Sequence, residues 1–474
     1  MTSTTSLQMI DGVTIVVPDS LNLITPYVLL EQQDWFEDEI KFLRRLLNEG
    51  QKVIDIGANY GVYTLSMAKT VGPRGCVWAF EPASSTATML AEAISANGFT
   101  QVVLEQSALS FSCGLAQLTL NSNSELNALV RSGSASNTSE TVPLVTLDER
   151  MDYHGWSDIE FIKIDAEGEE ANIIKGGERF FKELSALVMY EVKADEKVHM
   201  ELVQKFATLG YDSYRLVPGL DLLIPFDVDL PPDGFLLNLF CCKRDRAERL
   251  AAQGFLLESV SRPEITLAEL AKAIVNKARG QNTYQWQHTI SKMSYGQQLN
   301  RLWEQTMALG NSEVVDEALF LYATSRDKSL SSRDRFDALE TCFYQLKNLC
   351  ENHPENLRLA SFARVARDYG ARLLAVNALS QLRNSIKQQK RVNLNEPFLA
   401  PSERFDFVPT GNSIENWLLA AVLEQLERLS SFSSYYTAGA TLQRLINIRA
   451  LGFGSAEMER RLSLLQKRFG KPTV

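Results

Sequence analysis

Histidine is scarce, with four in 474 residues and none at the spacing of a zinc-ligand pair. A structural metal centre is therefore not expected. The six cysteines, at positions 76, 113, 241, 242, 342 and 350, form no C-x-x-C pair and read as free thiols of a reducing compartment. No stretch approaches the ~18 uninterrupted apolar residues that a membrane helix needs. The first residues, Met1-Thr-Ser-Thr-Thr-Ser-Leu-Gln, have neither a basic start nor an apolar core, so no secretory leader is expected. A cytoplasmic location is the expectation that follows. Hydrophobic content of 45% and charged content of 22% exclude disordered, collagenous and coiled-coil classes. At this length about two or three domains are expected.

Charge divides the chain. Residues 1–244 carry 18 Lys and Arg against 34 Asp and Glu, a balance of −16, whereas residues 245–474 carry 30 against 24, a balance of +6. The periodicity changes at the same place. Up to Arg244, short β-branched runs (Val53–Ile56, Val77–Phe80, Val102–Leu104, Leu115–Leu120, Ile159–Ile164, Leu187–Tyr190) alternate with helical stretches (from Val62, Ser84–Asn97, Ala171–Leu184, Val198–Leu209). Such alternation predicts right-handed crossovers and a mostly parallel sheet. Leu222–Ile224 and Phe235–Cys241, separated by Pro231-Pro-Asp-Gly, read as a closing antiparallel pair. Beyond Arg244 the apolar residues recur at helical spacing. Val314–Ser325 with Arg335–Cys350, and Leu357–Tyr369 with Arg372–Ile386, read as helix pairs of tetratricopeptide-like character, though no second copy of a repeat is legible. The sequence thus predicts an α/β domain over 1–244 and an all-α accessory or interaction domain over 245–474.

The most informative segment is Val53-Ile-Asp-Ile-Gly-Ala-Asn-Tyr-Gly-Val-Tyr-Thr. A strand ends at Asp55, the chain turns through Gly57, and a helix opens near Gly61, whose free N–H groups suit a ligand brought close to the backbone. The spacing Gly57-x-x-x-Gly61 differs from the G-x-G-x-x-G of a dinucleotide site. An aspartate at this turn repels a pyrophosphate but welcomes an ammonium or sulfonium. The next strand ends Phe80-Glu81-Pro82, placing an acid where it can accept both ribose hydroxyls of a nucleoside. An acidic turn followed by a ribose-binding glutamate points to S-adenosylmethionine.

Six motifs in one order strengthen that reading: Asp55-Ile-Gly-Ala-Asn-Tyr-Gly, Ala79-Phe-Glu-Pro, Ser107-Ala-Leu, Val145-Thr-Leu-Asp, Ile162-Lys-Ile-Asp-Ala-Glu-Gly-Glu-Glu and Lys175-Gly-Gly. Together they resemble the FkbM family of methyltransferases over roughly residues 10–244. The resemblance implies a class I, Rossmann-like methyltransferase fold, S-adenosylmethionine as methyl donor, and O-methylation of a sugar or glycan hydroxyl. It implies that Asp55, Gly57, Asn59 and Gly61 surround the methionine end of the cofactor, that Glu81 binds the ribose, and that Ser107 and Ala108 lie against the adenine. Many relatives end the fifth strand with Glu-x-His, whereas this chain has Glu191-Val-Lys193 and so lacks that histidine.

Methyl transfer to a hydroxyl also removes a proton, and a positioned base accelerates it by about 10²–10⁴-fold. Asp165 is the leading base or hydroxyl acceptor and Glu191 the second, both at C-terminal strand ends where open α/β sheets bind ligands. Lys163, two residues before Asp165, points to the same face and is expected to pair with Glu191. Asp165-Ala-Glu-Gly-Glu-Glu also carries enough acids for a hard cation. Glu169 and Glu170, however, fall in a first helical turn, where acids suit the dipole, and no metal is assigned. His154 and His199 read as ordinary histidines. The run Arg358, Arg364, Arg367, Arg372, Arg383, Lys387, Lys390 and Arg391 reads as a solvated face, or as a surface for a protein or anionic partner. No basic motif interleaved with aromatics suggests nucleic acid. The alternatives are a polyketide or other small-metabolite acceptor, or a scaffold that binds the cofactor without turnover.

Overall fold

The computed structural model describes residues 3–130, 138–194, 197–260, 267–280, 292–308, 313–389 and 391–470. Two compact units result. The first comprises Met1–Leu216, Leu223–Leu230 and Leu236–Glu258, and the second Val217–Leu222, Pro231–Phe235 and Ser259–Val474. No helix among the described residues is long and apolar enough to cross a membrane.

The first unit opens with an antiparallel pair, β1 (Thr4–Gln8) and β2 (Thr14–Pro18), then α1 (Ile24–Gln32) and α2 (Asp38–Leu46). Strand and helix then alternate through β3 (Lys52–Ile56), α3 (Val62–Val71), β4 (Cys76–Phe80), α4 (Ser84–Asn97) and β5 (Val102–Glu105). Next come four short strands, β6 (Ala108–Leu109), β7 (Gly114–Thr119), β8 (Ala128–Leu129) and β9 (Ser139–Val145). After α5 (Leu147–His154) follow β10 (Phe161–Ile164), α6 (Glu170–Gly176), α7 (Glu178–Glu183) and β11 (Leu187–Glu191). The unit continues through the small pair β12 (Lys193–Ala194) and β13 (Lys197–Val198), then α8 (Met200–Thr208), β14 (Asp212–Val217), β15 (Leu222–Pro225), β16 (Asn238–Cys242) and α9 (Arg244–Ala252). The helix α9 buries Ala247 and Leu250 in the core of this unit, which therefore runs on past residue 244.

The main sheet has the order β15-β14-β16-β11-β10-β3-β4-β5, with the run from β11 to β5 parallel. Successive residues of each strand face opposite sides. Val53, Val77, Phe161 and Met189 join one apolar core with α2, α3, α4 and α9. Ile54, Trp78, Ile162 and Val188 join a second with α5, α6, α7 and α8. Burial on both faces explains why these strands read as unbroken apolar runs. The chain leaves β3 toward β4 on one side and reaches β10 on the other, so the strand order reverses at β3, where open sheets receive ligands.

Three expectations are corrected. Leu222–Ile224 and Phe235–Cys241 do not pair with each other: β14, whose polar Asp212-Ser-Tyr-Arg hides its strand character, lies between them in the sheet. The run at Leu115–Leu120 belongs to a separate sheet of order β6-β9-β7-β8, because no crossover helix follows it. The helix expected over Ala171–Leu184 is broken into α6 and α7 at Gly176-Gly177, where a Cβ on Gly176 would stand 2.1 Å from the Ser110 carbonyl oxygen.

The second unit is helical. Helices Glu313–Ser325, Ser332–Asn352, Asn356–Tyr369 and Arg372–Gln389 occupy the segments read as helix pairs, each packed on the next. The Pro-, Ser- and Gly-rich stretch 395–412 before the last helices buries Phe398, Leu399, Ala400 and Phe405. The basic run does not form one solvated face. Arg364 is buried and meets Asp406 through two hydrogen bonds of 2.8 and 2.7 Å, and Arg358 pairs with Glu396 at 3.0 Å. Arg372 donates to the Leu429 carbonyl at the end of helix Ile414–Leu429 and is stacked by Phe235 and Phe432. Lys390 lies outside the described residues.

Candidate active site

A pocket of about 990 Å³, including its open mouth, lies at the C-terminal ends of β3, β4 and β10. It is lined by Asp55, Gly57, Asn59, Glu81, Ser107, Ala108, Lys163 and Asp165 among the residues named from sequence. Gly61 sits behind this wall as the cap of α3, with φ 89° and Leu90 against it. Glu191, at the end of β11, lies outside the lining, but its carboxylate approaches those of Asp165 and Glu167.

The turn after β3 is built from left-handed residues: Gly57 (φ 77°), Asn59 (φ 50°) and Gly61 (φ 89°). Only glycine tolerates the first of these, because a Cβ on Gly57 would meet the backbone carbonyl of Asp165. Asn59 is held by its neighbours: its backbone N–H donates to Glu81 Oε2 at 2.9 Å, and its Oδ1 accepts from Ser124 Oγ at 2.9 Å. The Ala83 N–H donates to Glu81 Oε1, so each oxygen of this buried carboxylate has one protein donor and a free lone pair. Burial raises Glu81 to about 7, against the pull of those two N–H groups.

Lys163 and Asp55 face each other across β10 and β3 on the same side of the sheet. Asp55 is fully buried; its Oδ2 accepts from Thr64 Oγ1 at 2.5 Å, while its Oδ1 lies 4.0 Å from Lys163 Nζ. Lys163 Nζ bonds Asp165 Oδ2 at 2.7 Å and lies over the Tyr63 ring. Burial alone would push the Lys163 ammonium down, but Asp165 and Asp55 outweigh it and hold it above its ordinary value. Burial raises Asp55, with Lys163 opposing. The expected Lys163–Glu191 pair does not form: the register sets Lys163 beside Asp55 and Met189, and Asp165 takes its ammonium. Glu191 is instead raised to about 10, first by burial and then by the charges of Asp165, Glu167, Glu170 and Glu37.

Sequence reasoning missed one wall. Glu37 lines the pocket, accepts from Tyr63 Oη, from Trp35 Nε1 at 3.1 Å and from Asn238 Nδ2 at 3.3 Å, and is raised by burial. It precedes a helix rather than ending a strand, and no local pattern marks it. The small sheet and the turn joining its strands add Leu118, Ser124, Glu125 and Leu129. Glu169 and Glu170 turn to structural partners: Glu169 accepts from Ser110 Oγ, and Glu170 from the backbone of Ala166 and Gly168. His154 meets Glu105 at 2.5 Å beside Trp78 and Trp156, away from the pocket lining.

Three buried atoms among the lining residues have no hydrogen-bond partner, Asp55 Oδ1, Ser107 Oγ and Glu125 Oε2. The first suits a cation and the second a polar heterocycle edge, while Gly57 leaves the turn bare. The donor set therefore fits a ligand that is cationic at one end and a nucleoside at the other.

Sheet order, bare turn and donor set define the class: an S-adenosylmethionine-dependent methyltransferase of the class I fold. Residues 55–213 match the family model described as the methyltransferase FkbM domain, and this stretch of the first unit is such a domain. Among solved structures, the chain is similar to methyltransferase FkbM from Methylobacillus flagellatus KT at 16% identity, covering 40% of this chain and 43% of that one with a TM-score of 0.29. A SAM-dependent O-methyltransferase from Thermotoga maritima is 14% identical over 50% of this chain and 77% of that one, with a TM-score of 0.26. An rRNA methylase from Streptococcus thermophilus is 12% identical over 43% of this chain and 93% of that one, with a TM-score of 0.25. No curated protein matches the chain.

Proposed function

We propose that the first unit is an O-methyltransferase that uses S-adenosylmethionine to methylate a hydroxyl of a sugar or glycan. The observation that carries this reading is the Lys163–Asp165 ion pair, 2.7 Å long, on the wall of the pocket formed by Asp55, Gly57 and Glu81. In this reading Asp55 attracts the cationic end of the cofactor, and Gly57, Asn59 and Gly61 shape the turn around it. Glu81 accepts the ribose hydroxyls, and Ser107 and Ala108 flank the adenine. When bound, S-adenosylmethionine supplies an electrophilic methyl group. Asp165 then accepts the proton of the acceptor hydroxyl, and Lys163 keeps the charge of that carboxylate in place before the acceptor arrives. Glu37 lines the acceptor's approach, and Glu191 stands beside Asp165 and Glu167.

The acidic walls, with Glu37, Glu125, Asp165 and Glu167 against Lys163 and with Glu191 beside Asp165 and Glu167, favour a neutral acceptor such as a sugar over a phosphate-rich one. In the same proposal the helical unit serves as an accessory domain for the acceptor or a partner. The test is formation of S-adenosylhomocysteine against a panel of glycans, small metabolites and RNA, with Asp165→Asn beside wild type. Turnover on a glycan that falls by about 10²-fold or more in the variant supports the proposal. Turnover on RNA alone, or an unchanged rate in Asp165→Asn, defeats it.

A further inference from the structure

Three carboxylates meet at the mouth of the site: Asp165, Glu167 and Glu191 each bring an oxygen within 4.8 Å of the other two. The charges that act most strongly on Glu191 are all acids: Asp165 and Glu167 from the loop after β10, Glu170 at the start of α6, and Glu37 from the segment before α2. The nearby cation, Lys163, is committed to Asp165 at 2.7 Å. Like charges this close cannot all persist, so the group holds a proton. Its position follows from the surroundings. Asp165 owns the lysine; Glu167 is the most open of the three to water and is raised to about 8 by burial and the charges of Asp165 and Glu170; Glu191 is half-buried, with no cation paired to it, and keeps its proton longest.

We infer, resting on the methyltransferase reading above, that Glu191 is a positioning residue: it stays protonated and donates a hydrogen bond that holds the acceptor with its hydroxyl toward Asp165. A neutral carboxylic acid has one O–H donor beside its remaining acceptor capacity, and that donor is what an ionised glutamate lacks. Asp165 gains the acceptor's proton in the reaction; Glu191 neither gains nor loses one. Two neighbouring carboxylates thereby take different roles because one has a lysine and the other does not. The adjoining Glu37 is tied by Tyr63, Trp35 and Asn238, the last standing opposite Glu191 in the β11–β16 register, so Glu191 is the carboxyl left to face the acceptor.

The first experiment needs no acceptor. Infrared titration of the full-length protein with S-adenosylhomocysteine bound, at about pH 8.5 where ordinary carboxyls are ionised, should show a protonated-carboxyl band. That band should vanish in Glu191→Gln. In Glu167→Gln, which removes a like charge beside Glu191, the band should be lost at a lower pH than in wild type, and a band that persists to a higher pH overturns the arrangement. A band unchanged by Glu191→Gln, or no band at all, overturns the inference. So does magnesium binding by wild type that Glu191→Gln abolishes, since a cation would then take the place of the proton.

With any acceptor that turns over, Glu191→Gln, which can still donate, should keep kcat within about threefold, and Glu191→Ala should raise KM about tenfold, the effect of one hydrogen bond. The alkaline limb of the wild-type profile of kcat/KM should disappear in Glu191→Gln. A loss of about 10²-fold in kcat for Glu191→Gln would make Glu191 the base and overturn the inference. An Asp165→Asn variant at full rate, with the band still lost in Glu191→Gln, overturns the base assignment alone and supports the protonated Glu191.

Discussion

Gly57 lies against the backbone carbonyl of Asp165, so that a Cβ built on it would stand 1.7 Å from that oxygen. The turn after β3 and the loop after β10 are thus joined by backbone contact, with no side chain between them. Gly57→Ala has to move one or the other, and it adds about 1–2 kcal/mol for a left-handed alanine. The expected outcome is a lower Tm together with loss of S-adenosylhomocysteine binding by calorimetry. Unchanged affinity would show that the two segments move independently.

Glu81 is expected to make cofactor affinity depend on pH. Its ordinary carboxyl value is raised to about 7 by burial, and the ionised form is the better acceptor for ribose hydroxyls. Affinity for S-adenosylhomocysteine should therefore weaken as pH falls below 7, by about tenfold per unit at the limit. In Glu81→Gln the affinity should be low and flat with pH. A wild-type affinity that is constant between about pH 5.5 and 8 would count against this placement.

Stability should run opposite to the usual acid-labile pattern. Glu81 and Glu191 are raised to about 7 and about 10, and Asp55 is raised as well, all led by burial. A raised carboxyl keeps its proton in the folded state where the unfolded chain has lost it, so the folded form binds more protons and stability falls as pH rises. The window opens near the ordinary glutamate value of 4.5 and closes for Glu81 at about 7, while the contribution of Glu191 continues toward about 10. The ligand-free protein should melt lower at pH 8.5 than at pH 6, and Glu191→Gln should flatten the slope; a Tm that climbs with pH would contradict both.

In the helical unit, Arg364 and Asp406 are each 5% exposed and joined by two hydrogen bonds, with Tyr322 Oη and Tyr295 Oη completing the cluster. Removing one partner strands a buried charge, so Arg364→Met should cost about 3–5 kcal/mol. Asp406→Leu combined with Arg364→Met should recover much of that loss. Chemical denaturation of the two variants and the double variant measures it, and a double variant no better than the singles would place the cost in packing.

The central strands were legible because burial on both faces leaves them as continuous apolar runs ending at Gly57, Glu81 and Asp165. The turn and its following acids therefore fell on the right side of the sheet. Pairing was less legible. Lys163 and Glu191 lie on adjacent strands, but only the register tells that Lys163 stands beside Asp55 and Met189. Glu37 was silent because it is brought to the pocket by Tyr63 and Asn238, far from it in sequence. The basic run misled for a related reason: Arg358 and Arg364 find their partners at Glu396 and Asp406, within a stretch that looks like an ordinary surface loop.

The shared face of Asp55 and Lys163 also bears on how faithfully the sheet assembles. A one-residue slip of β10 against β3 would turn Lys163 toward the side held by Ile54, Trp78 and Phe80, and leave Asp55 facing carbon. Apolar strands of similar composition can otherwise slide past one another at small cost. Here an opposite pair of charges acts as a proofreading mark in the middle of the sheet, so the same two residues that serve the pocket also make the misaligned fold the expensive one.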